Sequence, residues 1–114
     1  MKVLVCGGRE YDNWKNFKRQ LNEILGKDTP IIVQGGAKGA DFLARVYANY
    51  YGLNYKEYPA NWKKYGNRAG PIRNQQMLDE ENPDLVVAFP GGCGTADMVK
   101  RSKEQGFKVI EFNE

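Results

Sequence analysis

The sequence contains no histidine, which removes the usual general base near neutral pH, the commonest metal ligand and every Ser-His or Cys-His nucleophile pair. It has only two cysteines, Cys6 and Cys93, too few for a disulfide framework and without zinc-site spacing, so reduced thiols and no metal are expected. No apolar run approaches the roughly 20 residues that cross a bilayer, and the opening Met1 to Cys6 stretch is too brief for a secretory h-region. A cytoplasmic protein without membrane association is expected. Charge of one sign is also scarce: 17 Lys and Arg against 14 Asp and Glu leave +3. That suits an anionic small molecule and falls short of the basic stripe of a dedicated DNA binder, which argues against nucleic acid as the partner. With 114 residues the chain has enough material for one ordinary core, so a single domain over 1–114 is expected.

What is present is a regular alternation. Short apolar runs rich in β-branched and aromatic residues read as buried strands at Val3 to Cys6, Ile31 to Val33, Leu85 to Phe89 and Phe107 to Phe112, with a mixed fifth at Leu53 to Tyr58. Helical patterns lie between them. Trp14, Phe17, Leu21, Ile24 and Leu25 share one face behind an Asp12 cap; Leu43, Val46, Tyr47 and Tyr50 mark a second helix over Gly39 to Tyr51. A third starts at Pro71 and runs to Glu81, and a fourth follows Gly94. This rhythm predicts βαβ crossovers: an α/β, Rossmann-like, doubly wound parallel sheet of about five strands, most simply ordered 3-2-1-4-5, with helices on both faces.

The 13 glycines sort by position. Gly26, Gly52 and Gly106 end helices, and Gly66 and Gly70 fall in one long loop. The other eight, Gly7, Gly8, Gly35, Gly36, Gly39, Gly91, Gly92 and Gly94, directly follow the first, second and fourth strands. In a parallel sheet those carboxyl ends hold the ligand crevice, where glycine lets backbone N–H groups approach an anion. The G-x-x-x-x-G-K-[ST] phosphate loop is absent. The dinucleotide fingerprint fails at Asp97, so no NAD site and no cofactor are expected. What remains, Pro90-Gly91-Gly92-Cys93-Gly94-Thr95 opening a helix after a buried strand, has the form of a phosphate cradle.

Four segments, Cys6-Gly7-Gly8-Arg9, Gly35-Gly36-Ala37-Lys38-Gly39-Ala40-Asp41, Ala69-Gly70-Pro71-Ile72-Arg73-Asn74 and Pro90-Gly91-Gly92-x-Gly94-Thr95, together resemble the SLOG superfamily, and most closely its small single-domain YspA/YpsA-like branch. The resemblance implies a Rossmann-like fold that binds nucleotides or nucleotide-derived ligands. Relatives include LOG phosphoribohydrolases, which split the N-glycosidic bond of nucleoside monophosphates, DNA-binding DprA proteins and nucleotide sensors. LOG enzymes continue P-G-G-x-G-T with x-x-E, and the position of that catalytic glutamate is Met98 here. Their catalytic arginine looks matched by Arg73, with Asp97 one residue before the missing glutamate. In the small branch an aspartate usually precedes the loop tryptophan, where this chain reads Asn61-Trp62.

The residues and the resemblance give one set of expectations. Gly7, Gly8, Arg9, Gly35, Gly36, Lys38, Gly39, Asn74, Pro90, Gly91, Gly92, Gly94 and Thr95 bind the ligand. Arg9, Lys38, Arg68 and Arg73 all fall on the predicted edge, where guanidinium forks suit phosphate. Asp41, in the first turn of a helix, can complement its dipole or hold a ribose hydroxyl. An N-glycosidase would need a carboxylate near the sugar, which makes Arg73, Asp97 and Asp41 its catalytic candidates. Trp62, Tyr65 and Arg68 lie in a connection long enough to act as a lid, with base stacking by an aromatic ring as one use. Cys6 and Cys93 end neighbouring strands and are read as structural thiols. Tyrosines on the second helix offer a surface for a homodimer.

Overall fold

The computed structural model describes all 114 residues. Five parallel strands, β1 (Lys2–Cys6), β2 (Ile31–Gln34), β3 (Tyr55–Glu57), β4 (Leu85–Ala88) and β5 (Val109–Glu111), form one sheet in the order β3-β2-β1-β4-β5. The order reverses direction between β1 and β4, so the expected 3-2-1-4-5 sheet is what the chain builds. The helices are α1 (Trp14–Leu25), α2 (Ala40–Tyr50), α3 (Trp62–Tyr65), α4 (Ala69–Glu81) and α5 (Cys93–Glu104), with a single 3₁₀ turn over Gly66–Arg68. The longest of them has 13 residues, and none is long and apolar enough to cross a membrane.

Alternation along the central strands sends side chains to two cores. Val3, Val5, Ile32, Leu85 and Val87 meet Phe17, Leu21 and Leu25 of α1 and the alanines of α2. Leu4, Cys6, Val33, Val86 and Ala88 meet Met77 and Leu78 of α4 and Met98 of α5. Both faces of β1 and β4 are therefore covered, which is why those strands read as unbroken apolar runs.

Local differences from the sequence reading have physical reasons. The cap of α1 is Asn13, whose side chain accepts from the Asn16 N–H at 3.2 Å, and Asp12 lies one residue outside. On α2 the buried stripe is Ala40, Ala44, Tyr47 and Ala48, while Tyr50 is 62% exposed; small residues let the helix approach the sheet, and a count of large apolar residues misses them. α4 starts at Ala69, so Gly70 belongs to a helix and Pro71 occupies its first turn, where a missing N–H leaves no bond unmade. The long connection before it is not an open loop: Asn61 caps α3 by accepting from the Lys64 N–H at 3.1 Å. Gly26, Gly52 and Gly106 do carry the positive φ expected just after a helix.

Candidate functional site

The carboxyl ends of β1, β2 and β4 deliver three turns to one rim, and main-chain bonds knot them together. The Gly8 N–H donates to the Pro90 carbonyl at 2.9 Å, and the Gly8 carbonyl accepts from the Ala40 N–H at 3.1 Å. A Cβ on Gly8 would sit 2.9 Å from both Gly91 Cα and the Pro90 oxygen. Gly39 has φ +77° and its missing Cβ would strike the Gly8 carbonyl and lie 2.7 Å from Arg9 backbone atoms. These glycines exist because chain crosses chain.

Inside the rim is a concavity of about 530 Å³, within the range of small-molecule sites. Its walls are Cys6 to Arg9 after β1, Ala37 and Asp41 after β2, Gly92 to Thr95 and Asp97 after β4, and Gly70, Pro71, Arg73, Asn74 and Met77 of α4, with Trp62 and Asn67 at the mouth. A larger concavity, about 830 Å³ along the outside of α1, has a single apolar residue in its lining and no glycine turn, so the rim is the stronger candidate on chemistry.

Arg73 sits one turn inside α4. Its Nη1 donates to the Gly35 carbonyl at 2.5 Å and the Tyr58 carbonyl at 3.2 Å, and its Nε to Asn74 Oδ1 at 3.1 Å. Carbonyls fix the guanidinium without neutralising it: no carboxylate forms an ion pair with Arg73, and Nη2 has no protein partner. Burial pushes Arg73 below the usual guanidinium range; Asp41 opposes that shift and the positive charge of Arg9 adds to it. Asn74 is itself buried and donates through Nδ2 to the Gly94 carbonyl at 3.2 Å and Asp97 Oδ2 at 3.0 Å, so α4 and α5 are tied at the cavity floor.

The two carboxylates differ. Asp41 is 7% exposed and burial pushes its pKa up to about 6, against the Ala37 and Gly35 N–H groups and the Arg73 charge, which hold it down, while Glu57 adds to the rise. Asp97 is already engaged, by Asn74 and by Arg101 Nε at 2.8 Å. Met98 faces away, fully buried in the second core, so on this turn of α5 it is Asp97 and not the next position that reaches the cavity.

Other expected residues separate into two groups. Arg9 and Trp62 line the mouth and touch each other, with the guanidinium 5.1 Å from the indole centroid. Lys38 is exposed outside the lining, Tyr65 stacks under Lys64 at 5.1 Å, and Arg68 borders a shallow groove against α5. Cys6 and Cys93 share the cavity as free thiols, one buried and one exposed; burial, with Asp41, raises the Cys6 thiol well above its usual range.

Sequence reasoning missed Gln34, which is fully buried at the end of β2. Its Oε1 accepts from the Gly36 N–H at 2.5 Å and its Nε2 donates to Glu57 at 2.7 Å, which sets the shape of the second turn. The signal was a single amide between an apolar strand and two glycines. A second missed element is Glu81, buried at the far end of α4 with Lys2 and Lys56 Nζ at 3.1 and 3.2 Å from Oε1 and the Tyr58 hydroxyl donating to Oε2. Burial pushes this carboxyl up, but the Tyr58 and lysine contacts outweigh it and the net shift is down.

The sequence pattern of YAcAr, the YspA, cpYpsA-related SLOG family, matches residues 1–65, which include the first two glycine turns. The Gene 61 protein of Mycobacterium phage D29 is 31% identical over 122 residues, covering 99% of this chain and 97% of that protein. With more than half its length under the family pattern and a relative aligned along nearly all of it, the chain belongs to the YspA, cpYpsA-related SLOG family.

Proposed function

We propose that the chain binds a nucleotide or nucleotide-derived ligand, with a phosphate group on the Gly91 to Thr95 turn and Arg73 and the sugar toward Asp41. Membership of the SLOG family supports a nucleotide-related role. The observation that carries the reading is the state of the glycines at the start of α5. Gly92 is its cap residue with no side-chain bond, and nothing lies within 4 Å of where a Cβ on Gly92 or Gly94 would be. Packing does not require these two glycines. They leave unobstructed the N–H groups of a helix start, beside a pre-positioned arginine with an unused Nη2, and that combination suits a terminal phosphate. Titration with a panel of nucleoside 5′-monophosphates checks this: saturable binding that inorganic phosphate competes away is expected, and its absence across the panel overturns the reading.

A hydrolytic version has one observation in its favour. A buried carboxyl with a pKa near 6 in a cavity is poised to exchange a proton near neutrality, so Asp41 rather than the engaged Asp97 would serve an N-glycosidase. The C1′–N bond would break, water would supply the new hydroxyl at C1′, and the base would leave with a proton. Free base released from the same monophosphate panel, and lost in Asp41→Asn, is the expected result of that version; intact ligand recovered after denaturation rejects it.

A further inference from the structure

At the mouth of the cavity two side chains touch. Arg9 and Trp62 come from the first turn and from the start of α3, far apart in sequence, and both line the cavity. The Arg9 guanidinium lies over the indole at 5.1 Å from its centroid and forms no ion pair with any carboxylate. Trp62 remains 47% exposed, and residues 61–68 include none that is buried. Besides this contact, the indole edge approaches Gly70, where a Cβ would sit 3.4 Å from Trp62 Cη2.

We propose that Arg9 and Trp62 are a coupled recognition pair, which makes tight binding require a phosphate monoester and a planar base on the same molecule. The inference rests on the nucleotide reading above and deepens it to a ligand class, the mononucleotide. In the unliganded chain the guanidiniums of Arg9 and Arg73 border one cavity with no carboxylate in ion-pair contact, and the charge of Arg9 adds to burial in disfavouring the charge on Arg73, with Asp41 opposing both. An anion between them relieves that repulsion, and attraction to it draws Arg9 away from the indole. The vacated face is then available to a nucleobase, which stacks on tryptophan as the guanidinium did. A sugar phosphate engages only the first half of this exchange, and a nucleoside must displace Arg9 with no anion to receive it. The two contributions are therefore not additive, because one side chain belongs to both.

The test is a calorimetric comparison of three ligand types, the four common nucleoside 5′-monophosphates, ribose 5-phosphate and the matching nucleosides, against the wild-type chain, Arg9→Ala and Trp62→Ala, with folding checked by circular dichroism. Both positions are exposed at the rim. Expected is a loss of about tenfold in monophosphate affinity for Trp62→Ala, with ribose 5-phosphate affinity raised by about two- to fivefold because Arg9 no longer has to leave the indole. Arg9→Ala is expected to weaken both phosphorylated ligands and to strengthen nucleoside binding, since the indole face is then unobstructed. Wild-type binding of monophosphates that Trp62→Ala leaves intact, or nucleoside binding that Arg9→Ala leaves unimproved, overturns the pair while the nucleotide reading stands. A wild-type chain that binds none of the monophosphates overturns that reading and the pair together.

Discussion

The rim is built from two kinds of glycine. Gly8, Gly39 and Gly91 lie where turns cross, with backbone atoms already in the space a side chain would need. Gly92 and Gly94, a few residues on, face open space and keep ordinary negative φ or helical geometry. The first group is explained by packing alone and says nothing about a ligand. The second has no packing reason: Gly92 stands at the cap, a position that accepts glycine readily, and Gly94 in the first turn is a loss of helix stability of up to about 1 kcal/mol relative to alanine. The proposed phosphate site therefore rests on the glycines that packing does not require.

The comparison can be broken at its packed end first. Gly39→Ala places a Cβ at positive φ against the Gly8 carbonyl, and a loss of about 3 kcal/mol in urea unfolding is expected. A loss below about 1 kcal/mol would mean that the turns are not locked together.

Next is Asp41→Asn, which removes the carboxyl whose pKa burial raises. The folded carboxyl has a pKa of about 6 against an ordinary 3.8, so the folded chain retains a proton that the unfolded chain has released between those values. The associated stability is full below pH 4 and is lost as pH rises through 6. The asparagine variant avoids that loss, keeps an acceptor for the Ala37 N–H, and should be more stable than the wild type by up to about 3 kcal/mol at pH 8, with less than about 1 kcal/mol of gain at pH 4. Equal gains at both pH values would refute the assignment to Asp41.

Gly94→Ala sharpens the open end. Unfolding free energy is expected to stay the same or rise by up to about 1 kcal/mol, while monophosphate affinity falls at least about tenfold as the methyl enters the proposed phosphate position. Preserved affinity would return Gly94 to an incidental role. The smallest effect belongs to Arg101→Ala: its pair with Asp97 is partly exposed, and less than about 0.5 kcal/mol of stability should change, because screened pairs contribute little.

Much of this was legible in the chain itself. Runs such as Val3 to Val5 and Leu85 to Val87 are apolar on both faces, which only strands covered on both sides tolerate, and the helices between them force parallel crossovers. The three turns were identifiable because glycines cluster directly after three strands, and Arg73 through the family resemblance and its place near a helix start. Gln34 was not, since a single amide carries no periodic signal and its value comes from what β3 and the next turn bring to it. Nor could spacing reveal that Tyr50 would be exposed while three alanines faced the sheet. Distance of approach between elements, not hydrophobicity, decided that face.

By itself the sequence determined the alternation of strand and helix and the placing of glycine turns at strand ends, and it favoured 3-2-1-4-5 as the simplest order, because these follow from local periodicity and from the right-handedness of crossovers. Only the tertiary structure decided which glycines are packed and which open, that Arg73 is held by carbonyls with no carboxylate in ion-pair contact, that Asp41 is buried with its pKa raised to about 6 while Asp97 is bound by Asn74 and Arg101, and that Arg9 meets Trp62. Each depends on burial and on contacts between residues distant along the chain, and neither quantity is written in the spacing of residues.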